Sequence, residues 1–100
     1  MPRYLIERTV PGAHKMTTAE RREAANKSRD VLDHLGTGIQ WQHSFISEDR
    51  ITCVYVASDP EIIRRHARIS GFPANQIHEI TGEMDPVTAE PRQDAAVVTA

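Results

Sequence analysis

Short stretches in which apolar and polar residues alternate trade places along this chain with two longer stretches of helical period. Residues 3–10, RYLIERTV, are rich in aromatic and branched side chains and predict a strand. Leu5 and Glu7 fall on one of its faces, Tyr4 and Ile6 on the other, and Pro11-Gly12 breaks it. Thr17 followed by Glu20 has the spacing of a capping box, which satisfies unpaired N–H groups at a helix start. The helix then runs over 18–35, with Ala24, Ser28, Val31, Leu32 and Leu35 as its inward stripe. Gly36 closes it.

Residues 39–47 alternate again. Regular alternation sets Ile39, Trp41, His43 and Phe45 on one face and Gln40, Gln42, Ser44 and Ile46 on the other. Residues 47–50 supply a hairpin turn, and 51–57 return as a strand with Ile51, Cys53 and Tyr55 on a common face. Ser58 or Asp59 caps a second helix, with Pro60 at its first position, where the missing N–H costs nothing. Ile62, Ile63, His66, Ala67 and Ser70 turn inward, and Gly71-Phe72-Pro73 stops the helix. Residues 76–81 form a last strand with Ile77 and Ile80 on opposite faces. Beyond Pro86 neither period nor cap signals continue, so the domain is set at 1–86 and 87–100 is expected to be a flexible C-terminal tail.

The element order βαββαβ predicts an α+β, ferredoxin-like domain: a four-stranded antiparallel sheet with two helices on one face. Apolar residues nevertheless occur on both faces of the strands, as Leu5 against Ile6 and Phe45 against Ile46 show. A sheet with one wet face would alternate more cleanly. A second copy packing sheet to sheet is the expected cover, giving a homodimer of the α+β-barrel kind.

Composition narrows the function. Twelve basic against fourteen acidic residues give a net charge of -2, without the basic excess a general nucleic-acid binder needs. No apolar run approaches the ~20 residues of a membrane span, and the single cysteine calls for no oxidising compartment, so a cytoplasmic protein is expected. No glycine-rich phosphate loop is present. Glu7, His43, Cys53 and His66 offer carboxylate, imidazole and thiolate donors, a set suited to late first-row divalent metals. Antiparallel pairing is expected to bring His43 beside Cys53 or Tyr55. His14, His34 and His78 read as surface residues that could bind metal jointly across a dimer. Trp41 and Tyr55 are candidate pocket-lining residues.

The strand Trp41-Gln42-His43-Ser44, the strand Cys53-Val54-Tyr55, and His66-Ala67 followed by Gly71-Phe72-Pro73 together resemble the small bacterial nickel-binding protein family. The likeness covers roughly residues 3–86. It implies a dimeric ferredoxin-like protein that binds Ni(II) for sequestration or tolerance of excess metal, with Glu7, His43, Cys53, Tyr55 and His66 as family-typical positions. On that reading the protein leans away from being an enzyme. The alternative is a small dimeric enzyme, a cofactor-free oxygenase, isomerase or cyclase, using His43, His66 and Glu7 in a pocket on a small organic molecule.

Overall fold

The computed structural model describes residues 1–91. Its elements follow the order the pattern predicts: β1 (Arg3–Thr9), α1 (Thr18–Leu35), β2 (Ile39–Ser47), β3 (Arg50–Ala57), α2 (Pro60–Ser70) and β4 (Gln76–Ile80). The strands form one antiparallel sheet in the order β2-β3-β1-β4, the ferredoxin-like arrangement.

Both helices start where their sequence signals lie. Thr17 accepts from the Glu20 N–H while the Glu20 carboxylate accepts from the Thr17 N–H, so α1 has its capping box. Asp59, rather than Ser58, caps α2 by accepting from the Ile62 N–H, with Pro60 directly behind it. Gly71 ends α2 at a φ of 80°, a left-handed conformation in which any side chain would be strained.

Tyr4, Ile6, Ile39, Cys53, Tyr55 and Ala57 meet Ile63 of α2 in the core, with Leu32 and Leu35 of α1 packed against them. All of this lies on the helix face of the sheet. Ser28 and His66, from facing stripes of the two helices, are sealed into the same layer at 5% and 0% exposure.

One element departs from the regular alternation. In β2 the pairing with β3 shifts between Trp41, opposite Tyr55, and His43, opposite Val54, leaving Gln42 as an extra residue. Such a bulge exchanges the faces of everything that follows. Ser44 and Ile46 therefore join Trp41 on the helix face, opposite Cys53 and Ile51. His43 and Phe45 pass to the open face, where their rings meet edge to face at 5.0 Å between centroids. The expected pairing of His43 with Cys53 or Tyr55 is thereby corrected: its partner is Val54, and Ser44 takes the place beside Cys53.

After β4, Asp85 caps a single 3-10 turn, Pro86–Ala89, through a reciprocal pair of bonds with Thr88. The remainder of the expected tail, from residue 92 onward, lies outside the described residues. No described helix is long and apolar enough to cross a membrane.

Candidate functional site

The sheet separates the candidate residues into two groups. Cys53, His66, Trp41 and Tyr55 lie on the helix face, whereas Glu7 and His43 lie on the open face. The four proposed metal ligands are thus not brought together. Among the described residues no group of three or more His, Cys, Asp or Glu side chains is placed to hold a metal ion.

On the open face, Glu7 is held between two neighbours. Its Oε1 lies 3.3 Å from Arg50 Nη1 and its Oε2 lies 3.4 Å from His78 Nε2. The same His78 nitrogen is 2.9 Å from Gln76 Oε1. His43 belongs to one cross-strand row with Val54, Leu5 and His78. Three strand spacings separate its two ends, about 14 Å. His43 and His78 of one copy therefore cannot share an ion, and a single chain presents a two-donor half-site, Glu7 with His78, that does not by itself fit a nickel ion.

On the helix face, α1, β1, β2, β3 and the segment after α2 line a half-open cavity of about 380 Å³. Trp41 and Tyr55 line it, together with apolar walls from Met16, Ile46, Ile51 and Phe72. His43 does not reach it, being on the other side of the sheet, and His66 stands behind Ser28 rather than in the lining. The acid/base set on which the enzyme alternative rested is therefore split across the sheet.

The buried charge in the cavity lining is Arg8, which alternation carries inward behind Tyr4 and Ile6; it is only 3% exposed. Its Nε donates to Cys53 Sγ at 3.4 Å and its Nη1 to the Pro73 carbonyl at 2.7 Å. Its guanidinium also lies 6.0 Å from the centroid of the Tyr55 ring. No carboxylate among the described residues pairs with it. Buried arginines are rare unless paired, because the desolvation of the charge has to be offset. Cys53 Sγ also receives the Ser44 hydroxyl at 2.8 Å, and Ser44 in turn accepts from Trp41 Nε1 at 2.9 Å. Without the bulge, Ser44 would face the other way.

Behind the cavity, His66 Nε2 is 3.1 Å from Ser28 Oγ, which lies 3.5 Å from the Tyr55 hydroxyl. His66 Nδ1 is buried with no hydrogen-bond partner among the described residues. Burial, and then the charge of Arg8, lower the His66 pKa from 6.5 to about 4, against the opposing bond from Ser28. At neutral pH it is a neutral imidazole. Burial likewise raises the Tyr55 pKa, so its hydroxyl remains a donor. Arg8 and Ser44 are the site residues that sequence reasoning passed over. Arg8 carried a signal, its i+2 spacing from Ile6; Ser44 carried none, since the bulge alone turns it inward.

The fold and its two-sided arrangement define a ferredoxin-like α+β domain. It is similar to the crystal structure of SCO4226 from Streptomyces coelicolor A3(2), with a TM-score of 0.69 at 17% identity, over 82% of this chain and 99% of that one. Residues 4–80 match the model of the SCO4226-like family, described as nickel responsive protein SCO4226-like, and the chain belongs to that family. No curated protein matches it.

Proposed function

We propose that this protein binds nickel on the open face of its sheet, in a site completed by a second copy, and holds the metal rather than transforming a substrate. The observation that carries the reading is the Glu7–His78 pair, with 3.4 Å between Oε2 and Nε2, on a face that no described helix covers. Membership of a family described as nickel responsive supports it. Imidazole and carboxylate are donors that a late first-row divalent ion accepts.

Two such faces packed together stand about 10 Å apart. A two-fold axis running between them along the strands sets β2 of one copy over β4 of the other. His43 of one copy then lies opposite Glu7 and His78 of its mate, and two equivalent sites arise per dimer. Cys53 and His66 have no part in this site. Retention of excess metal is the role that fits a site built without a reaction pocket beside it.

Calorimetric titration with Ni(II) tests the proposal on the intact protein and on three variants. His78→Ala, Glu7→Gln and His43→Ala are each expected to weaken nickel binding by about tenfold or more, the loss of one ligand or its support. Cys53→Ala is expected to leave it unchanged. Nickel affinity that survives all three open-face changes, or that falls with Cys53→Ala, would count against this site.

A further inference from the structure

The cavity on the other side of the sheet is a different matter from the metal. It has a mostly apolar wall, a volume of about 380 Å³, and one buried cation with no acidic partner among the described residues. That volume is near the lower end of the range for small-molecule sites, which are mostly apolar with a few fixed polar groups. Two of the three guanidinium nitrogens of Arg8 are spent on Cys53 Sγ and the Pro73 carbonyl. Its Nη2 makes no hydrogen bond among the described residues and is not among the polar atoms sealed from solvent. Arg8 is itself part of the cavity lining.

We infer that this cavity binds a small organic molecule with one carboxylate and an apolar body, its carboxylate on Arg8 Nη2 and its body against Trp41, Ile46, Ile51 and Phe72. Tyr55 is also in the lining. The charge balance selects the ligand class. A buried guanidinium is matched by one negative charge, and a single free edge offers too little to a phosphate dianion. The Pro73 carbonyl is neutral and does not supply that charge, and no carboxylate among the described residues pairs with Arg8. Arg21, at the cavity lining on α1, adds a second cation that favours entry of an anion.

Trp41 is the sole tryptophan of the chain and lines the cavity, so its fluorescence reports occupancy. The test titrates the intact protein, free of nickel, with octanoate and separately with 1-octanol. These share an apolar chain and differ in the charge. Octanoate is expected to give a saturable change at about tenfold lower concentration than octanol, the worth of one charge-assisted hydrogen bond. Arg8→Gln is expected to erase that difference, and Ala25→Phe, which fills the cavity from α1, to block both probes.

Equal binding of the two probes, or no saturable change with either, overturns the inference. So does a preference for octanoate that persists in Arg8→Gln. If Arg8→Gln does not fold, the comparison on the unaltered protein decides alone. His78→Ala, on the opposite face, is expected to leave octanoate binding intact, so failure of the nickel site and failure of this one are read separately.

Discussion

His66 is a histidine that folding keeps uncharged. Its folded pKa of about 4 lies below the ordinary value of 6.5, so between those values the unfolded chain binds more protons than the folded one. The stability it supports is complete above about pH 6.5 and is lost as the pH falls toward 4. Urea unfolding is expected to show a midpoint that drops across this window. His66→Phe, which keeps an aromatic ring beside Tyr55, should flatten that slope while costing about 1–2 kcal/mol at pH 7 for the lost Ser28 bond. A slope unchanged in the variant would assign the effect to other groups. The inward position of His66 was legible in the sequence, because Ile62, Ile63, Ala67 and Ser70 share its stripe. The burial of Arg8 was legible only in part. Its spacing pointed inward while its residue type pointed outward, and arginine is ordinarily found at the surface.

At the scale of elements, local signals and long-range ones fared differently. Helix starts were readable because a cap is complete within four residues, as Thr17 with Glu20 and Asp59 with the Ile62 N–H illustrate. Thr17→Ala removes one half of such a device. It is expected to cost about 1 kcal/mol, seen as a lower urea midpoint with an unchanged slope. A loss below a few tenths would mean that the α1 start is held by its packing instead. The bulge at Gln42 was unreadable, because Ile39 to Phe45 alternates as cleanly as any regular strand. Only the partner strand shows that one residue is surplus. That is why His43 was expected beside Cys53 or Tyr55 and is found opposite Val54.

The whole molecule has one covered face and one open face. Leu5, Val54, Phe45 and Ile80 lie among polar residues on the open side, and Phe45 is 60% exposed. A domain of this size buries only about 60–65% of the surface of its unfolded chain, so association is a natural source of further burial. Under the two-copy proposal, Phe45→Glu sets a charge against its equivalent surface. Sedimentation equilibrium is then expected to shift from dimer to monomer, with nickel affinity falling in parallel. A monomeric unaltered protein that still binds nickel stoichiometrically would sink the shared-site arrangement. The fold itself was legible from element order, since βαββαβ leaves few ways to lay four antiparallel strands beneath two helices. The division of the histidines between the faces was not, because it depends on a register that no single strand contains.

The surplus residue of β2 makes that strand a matter of parity. Upstream of Gln42 even-numbered residues look away from the helices, and downstream of it they look toward them. The strand can thus contribute Trp41 and Ser44 to the cavity and His43 to the opposite surface, although an unbroken alternation would put Trp41 and His43 together. Loss of Gln42 alone would iron out the kink yet leave every later side chain on its present side. Moving the surplus position past Ser44, with the pairing otherwise kept regular, would trade the serine for the histidine across the sheet. Relatives that keep both surfaces in use can therefore lose a residue at the kink more readily than they can shift the count beyond it.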